Sequence, residues 1–157
     1  MKKKLLLLLV ILSLIIHFSL FSQQIVLNNG MYYVDATQTK FYSGEYREFH
    51  ANGALKLDIF IKDGKPEGPY VVYFENGKPQ EIRSYLNGEF HGIWRSYNTA
   101  GILVAEAEYQ HNLKSGCWKV WDDNGVLRYE MNYREGKKIG MWYMWDEKGK
   151  LMSEKNY

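Results

Sequence analysis

Between residues 127 and 133 the chain places Leu127, Tyr129, Met131 and Tyr133 on one set of positions and Arg128, Glu130 and Asn132 on the other. A period of two marks a strand with one buried face. The same alternation occurs earlier, with Leu57, Ile59 and Ile61 following Leu55. It weakens where Pro79, Glu81 and Arg83 precede Tyr85, so that strand is expected to be the least well buried. Ahead of each alternating stretch stand two aromatic residues three positions apart: Tyr46 and Phe49, Tyr70 and Tyr73, Trp94 and Tyr97, Trp118 and Trp121, Trp142 and Trp145. Aromatic residues favour the half-buried surface of a strand. Residues three apart point to opposite faces of an ideal strand. Either a bulge corrects the phase, or this strand has aromatics on both faces. The first aromatic of each pair is expected to pack inside and the second to be partly exposed.

Turn signals separate these strands. One set is Asn52-Gly53, Asn76-Gly77, Ala100-Gly101, Asn124-Gly125 and Lys148-Gly149. Asn-Gly predicts a type I′ hairpin turn, which needs positive φ at both central residues. A second set is Asp63-Gly64, Asn87-Gly88, His111-Asn112 and Glu135-Gly136, where Asn112 replaces glycine. Two strands and two turns make one unit, and no helix is expected within Phe41–Tyr157. Gly44, Gly68, Gly92, Gly116 and Gly140 fix the unit length at 24 residues. A period of this size indicates a repeat architecture in which each unit packs mainly on its neighbours. The expected fold is all-β, an elongated antiparallel meander of β-hairpins over residues 44–157 in five units, the last one truncated. Residues 23–43 do not fit the period; Tyr32, Tyr33, Phe41 and Tyr42 flank the polar stretch Asp35–Lys40, and the segment reads as a degenerate capping hairpin. Tyr157 occupies the position of Tyr133, so the last strand is expected to leave an edge.

Residues 1–22 belong to another category. Lys2, Lys3 and Lys4 precede an apolar run from Leu5 to Ile16 that only Ser13 interrupts, and Ser22 stands before Gln23. This predicts a signal-peptide helix with cleavage near Ser22-Gln23, hence an exported protein, periplasmic, outer-surface or secreted. The alternative is an N-terminal membrane anchor, for which the run is short against the roughly 20 residues of a full crossing. The whole chain has a net charge of +2, but residues 1–22 contribute three lysines and no acid, so the remainder is −1. That balance excludes nucleic acid as the expected partner, because phosphate neutralisation needs a basic face. With Cys117 as the single cysteine, no internal disulfide can form.

The run Tyr85-Leu-Asn-Gly88-Glu-Phe-His-Gly92-Ile-Trp94-Arg-Ser-Tyr97, repeated as Tyr133-Arg-Glu-Gly136-Lys-Lys-Ile-Gly140-Met-Trp142-Tyr-Met-Trp145, resembles the membrane occupation and recognition nexus (MORN) repeat in its bacterial variant. Ile61, where Tyr is usual, and Asn112, where Gly is usual, are departures. The resemblance implies an elongated hairpin array and non-enzymatic work: scaffolding, protein binding and, in some members, membrane-lipid association. Proteins of this branch are often labelled antitoxin components. With an exported chain, that label fits only an exported toxin.

Candidate chemistry is sparse. His50, His91 and His111 fall at different positions of the unit; only His91 and His111, near a turn edge, offer a cross-repeat metal pair, and solvated turn histidines are the expected reading. Cys117 occupies a site filled elsewhere by Glu45, Pro69, Ile93 and Met141, with no base and orienting group in the unit to activate it. The acids Asp58, Asp63, Glu67, Glu75, Asp122, Asp123, Glu135, Asp146 and Glu147 read as turn residues; Asp122-Asp123-Asn124-Gly125 lacks the spaced ligands of a calcium loop. The chain is therefore expected to be no enzyme and to hold no metal or cofactor. Three aromatic columns remain. Those of Tyr46, Tyr70, Trp94, Trp118, Trp142 and of Tyr85, Tyr109, Tyr133, Tyr157 are expected to pack. Phe49, Tyr73, Tyr97, Trp121 and Trp145 are the candidate binding column, with another protein as the expected partner and a glycan or envelope surface as the alternative.

Overall fold

The computed structural model describes residues 25–157, so the predicted leader at 1–22 lies outside the described residues. The described chain forms β1 (Val26–Asn28), β2 (Met31–Tyr33), β3 (Gly44–Phe49), β4 (Leu55–Lys62), β5 (Lys65–Tyr73), β6 (Pro79–Leu86), β7 (Glu89–Phe90), β8 (Gly92–Tyr97), β9 (Leu103–Gln110), β10 (Leu113–Trp121), β11 (Leu127–Arg134), β12 (Lys137–Trp145) and β13 (Leu151–Asn156), with no helix among them. Strands β3 to β13 make one antiparallel sheet in chain order, β7 pairing on β6 and the path running from β6 to β8. The architecture is the predicted meander.

The Asn-Gly turns differ from the type I′ expected for them. In the Asn52-Gly53 family only the glycine has positive φ, 82° at Gly53. The hydrogen bonds Gly53 N–H to His50 O and His50 N–H to Ala54 O close a three-residue loop. This is a type I turn followed by a left-handed glycine, not type I′. The second family has both residues at positive φ: Asp63 and Gly64 at 49° and 77°, His111 and Asn112 at 49° and 65°. These are the type I′ turns. Asparagine earns its place at the first tips in another way. Asn52 Oδ1 accepts Ala54 N–H at 2.9 Å while its amide donates to Glu75 O at 3.1 Å, and Asn76 repeats both bonds with Lys78 and Thr99. The side chain closes its own turn and ties it to the next tip.

Two bulges recur in each unit. Glu48 pairs with Leu57 but Phe49 with Leu55, leaving Lys56 over. Gln80, Val104, Arg128 and Met152 are left over in the same way. The bulge lies on the second strand and does not correct the phase of the aromatic pair, so the second alternative is the one realised: the first strand keeps aromatics on both faces. It also moves Leu55 and Leu127 off the face of Leu57 and Tyr129, correcting the unbroken alternation expected for those strands. The second bulge holds the periodic glycine. Ile59 pairs with Tyr70 and Ile61 with Pro66, and Gly68 sits in the excess of β5 at φ 75°. Gly116 and Gly140 take the same place at 61° and 60°, a region open mainly to glycine.

β1 and β2 form a separate hairpin at the start of the array. Tyr32 N–H donates to Gly64 O and Tyr42 N–H to Tyr32 O, both at 2.9 Å. The principal buried cluster lies beneath this cap: Tyr32, Leu57, Ile59 and Ile61, flanked by Ile25, Tyr42, Tyr46, Tyr70 and Val72. β6 is not the least buried strand. It is half-buried through Tyr85, whereas β13 is exposed along its whole length. Arg83 explains the difference. Its guanidinium lies 5.3 Å from the Tyr70 ring centre and 5.2 Å from that of Trp94, and Glu81 bonds it, so a charged pair fills the place that apolar side chains fill elsewhere.

Candidate interaction face

Residues paired directly across an antiparallel ladder share a face, and alternate residues of one strand share a face. Tyr46 opposite Ile59, Tyr70 opposite Arg83, Trp94 opposite Ala107, Trp118 opposite Met131 and Trp142 opposite Lys155 therefore define one face. Tyr85, Tyr109, Tyr133 and Tyr157 lie on the same face, and the two columns merge into one ladder. Ring centres are 4.6 Å apart for Trp94–Tyr109, 5.1 Å for Tyr109–Trp118, and 5.2 Å for both Trp118–Tyr133 and Tyr133–Trp142. Trp142–Tyr157 follows at 4.7 Å. The contacts are tilted, as ring quadrupoles prefer. Each tryptophan also spends its indole N–H on the preceding strand: Trp94 to Ser84 O at 3.4 Å, Trp118 to Glu108 O at 3.0 Å, Trp142 to Asn132 O at 3.1 Å. These acceptors lie one period apart, at the glycine bulges.

Cations lie on the ladder. Lys114 Nζ is 4.4 Å from the Trp118 ring centre and 4.9 Å from that of Tyr133. Lys138 repeats this at 4.3 Å from Trp142 and 4.6 Å from Tyr157, and Lys155 stands 4.6 Å from Tyr157. Lys114 pairs with Tyr109 and Lys138 with Tyr133, which fixes both on this face. They occupy the position two before the periodic glycine, filled in earlier units by Tyr42, Pro66 and Phe90. In the sequence, only parity counted backward from the glycine signals them, because the recurrent aromatics all follow it. Burial is the largest single influence on the Tyr157 phenol and acts upward, but the Lys138 hydrogen bond and the Lys138 and Lys155 charges together outweigh it and draw the pKa below 10.0.

The opposite face is composed differently. Arg47 opposes Asp58 at 3.1 Å, Arg95 opposes Glu106 at 2.8 Å and Lys119 opposes Glu130 at 3.8 Å, each a cross-strand ion pair. Asp58 is thus a mid-strand residue of β4, not the turn residue expected. The candidate binding column lies on this second face, opposite Leu55, Pro79, Leu103, Leu127 and Leu151. Phe49 is 61% exposed, whereas Tyr73, Tyr97, Trp121 and Trp145 are half-buried. These five do not form a continuous stack; Trp145 meets Tyr143 at 5.6 Å, not its own column.

The remaining candidates are placed as follows. His50 Nε2 lies 2.9 Å from Tyr73 O, tying adjacent tips. His91 and His111 do meet, with ring centres 4.9 Å apart, and Glu89 binds His111 Nδ1 at 2.8 Å. Among the described residues no group of three or more His, Cys, Asp or Glu is arranged to hold a metal ion. His91 Nδ1 is buried without a partner. Cys117 is half-buried; burial first, then the Glu130 carboxylate, pushes its thiol pKa up, away from the reactive thiolate. Asp122 and Asp146 accept backbone N–H groups of their own tips, from Asn124 and Val126 and from Lys148 and Lys150.

A single-layer sheet of stacked hairpins, with a continuous ladder of rings along one face, defines a repeat protein built around an extended surface. The family model described as MORN repeat variant matches residues 66–87, 90–111, 114–135 and 138–157, more than half of the chain, and the chain belongs to that family. The unit at 44–65 lies before the matched residues and has Ile61 in place of the repeated tyrosine. No curated protein matches the chain. Among solved structures, it is similar to a chain of the Glycosylation Associate Protein (Gap123) complex from Streptococcus agalactiae, at 17% identity and TM-score 0.37, over 80% of this chain and 23% of that one. It is also similar to a chain of accessory secretory protein 1,2 and 3 in Streptococcus pneumoniae, at 13% identity and TM-score 0.36, over 78% of this chain and 23% of that one. The chain thus spans about a quarter of the length of these solved chains.

Proposed function

We propose that this MORN repeat protein is an exported, non-enzymatic module that binds a protein partner through the ladder face of its C-terminal units. An antitoxin-like role follows only if that partner is an exported toxin. One observation supports this reading: the two faces satisfy their charges differently. The opposite face pairs its own ions across the strands, as a solvated surface does. The ladder face from β8 to β13 leaves Lys114, Lys138 and Lys155 without an ion pair among the described residues. Beside them lie half-buried Met131 and Met144 and Tyr129, which is 41% exposed. Contiguous apolar surface of this kind marks interaction sites. A photo-crosslinking residue at Met144, on the ladder face, is expected to give a defined protein product in the producing cell, and one at Tyr143, on the opposite face, none. Equal yields from both positions, or products from Tyr143 alone, would refute the assignment. Glycan binding that disappears on substituting Trp121 and Trp145 would move the site to the opposite column.

A further inference from the structure

The ladder face changes character along the array. In the first two units its acids are matched within the face: Lys56 Nζ bonds Glu48 at 2.9 Å and Arg83 pairs with Glu81. From β8 onward the residues that register places on the face are glycine, serine, alanine, valine, methionine, tyrosine and tryptophan, together with Lys114, Lys138 and Lys155. No carboxylate is among them. The same stretch of the opposite face has both signs, with Arg95, Glu106, Lys119 and Glu130 paired. The opposite side carries both signs, with Glu108 and Glu154 also on it, and the ladder side carries cations alone.

Each unpaired ammonium is held rather than free. Lys114 and Lys138 each lie within 5 Å of two ring centres, which fixes the stem over the ladder and leaves N–H donors directed away from it. Neighbouring strands lie about 4.8 Å apart, so these two lysines, on β10 and β12, stand about 10 Å apart along the sheet. A chain in the extended polyproline II conformation repeats its side-chain direction every three residues and advances about 3.1 Å per residue, so carboxylates three residues apart fall on one side about 9 Å apart and match that interval. Beside Lys155 a depression of 340 Å³, lined in part by Tyr129, Met131, Trp142, Met144 and Tyr157, has room for an apolar side chain.

We infer that the ladder face between β10 and β13 receives an acidic segment of the partner protein, with carboxylates about 10 Å apart over Lys114 and Lys138 and an apolar residue in the depression beside Lys155. This deepens the proposed function and rests on it. The lysine–aromatic pairs supply preformed cationic sites, and the rings supply the apolar floor. Charge complementarity of this kind sets specificity and on-rate more than bulk affinity.

The test uses the purified full chain and a fluorescent twelve-residue peptide with Glu at every third position and Leu or Tyr between. Its twin has Lys in place of every Glu, and vesicles of phosphatidylglycerol and phosphatidylcholine form a third arm. The Glu peptide is expected to bind and the Lys twin not at the same concentration. K114Q/K138Q is expected to weaken the Glu peptide roughly tenfold, whereas K119Q on the opposite face leaves it unchanged. The charge-keeping K114R/K138R is expected to retain binding, which separates loss of charge from loss of fold. Equal binding of both peptides, indifference to K114Q/K138Q, or vesicle sedimentation without peptide preference would overturn the inference. The two readings fail separately. A Met144 crosslink to a neutral or basic segment removes the acidic partner and keeps protein binding, and absence of any ladder-face crosslink removes both.

Discussion

Gly64 and Gly136 stand three periods apart, at the same turn position and the same φ of 77°. Each donates its N–H to the carbonyl two residues before a periodic glycine: Gly64 to Tyr42 O at 2.8 Å, Gly136 to Lys114 O at 2.9 Å. Their surroundings differ. A Cβ on Gly64 would lie 2.7 Å from Phe41 Cδ1 and 3.1 Å from both Met31 Cε and the Tyr32 carbonyl oxygen. A Cβ on Gly136 would meet nothing nearer than Leu113 Cδ2 at 3.7 Å. Alanine at either site bears the left-handed backbone cost, about 1–2 kcal/mol. Only G64A adds overpacking against the capping hairpin, about 1–3 kcal/mol more. G136A is therefore expected to lose about 1–2 kcal/mol and G64A about 2–5 kcal/mol. The extra loss should also be local, because repeat arrays open unit by unit. The five tryptophans lie between residues 94 and 145 and report the far end, so fluorescence alone would understate it. Hydrogen exchange is the suitable assay. In G64A the Tyr32, Tyr42 and Gly64 amides should lose protection while those of β11 and β12 keep theirs. Equal losses in the two variants, or loss of protection confined to the C-terminal units of G64A, would refute the argument that the cap closes on Gly64.

Three further outcomes follow from the same geometry. Ser43 Oγ accepts Asp63 N–H at 2.8 Å and Glu67 accepts Asn87 N–H, and His91 holds the equivalent place with its Nδ1 buried and unpaired; H91S, restoring the serine of the first unit, is expected to stabilise by about 1 kcal/mol in urea titration. Burial, followed by the Tyr70 and Tyr46 phenols, raises the Tyr32 pKa above its ordinary value of 10.0, so this contribution to stability is complete below that pH and is lost as pH climbs past it; alkaline melts of wild type should fall more steeply than those of Y32F. A double-mutant cycle on Arg95 and Glu106, whose side chains are 44% and 30% exposed, should give a coupling of only about 0.2–1 kcal/mol, as expected for a solvated ion pair.

Much of the fold was legible because the demands on it are local. A glycine that must take positive φ inside a bulge recurs every 24 residues whatever surrounds it, and the alternation beside it follows. The turn types were not legible, because Asn-Gly satisfies both. What separates them is the partner of the asparagine: Asn52 and Asn76 serve as side-chain acceptors with ordinary φ, whereas Asn87 itself takes φ 53°. The second-strand bulge left no trace either, since Lys56, Gln80, Val104, Arg128 and Met152 share no chemistry. Its effect is large nonetheless, placing Leu55, Leu103, Leu127 and Leu151 on the face opposite the ladder, across from the column of Phe49. The ladder was legible as packing. Its lysines were not, because they stand before the glycine that set the count.

The position two before the glycine shows how such an array acquires a function. A repeat fixes the residues that hold the backbone and leaves others free to drift. Here the drift is directional: Tyr42, Pro66 and Phe90 are uncharged, and Lys114 and Lys138 are not. At the N-terminal end the ladder face is already occupied, with Tyr32 of the cap 5.1 Å from Tyr46, and a buried ammonium there would have to be desolvated. Beyond the cap nothing in the described chain covers the rings, and a lysine can lay its stem on them while its charge stays in water. The charge asymmetry of the face is thus a consequence of where the capping hairpin stops. Extending the cap over β10 to β12 should make Lys114 and Lys138 destabilising. In such a variant K114Q/K138Q would raise the melting temperature, whereas in the native chain it would leave stability nearly unchanged.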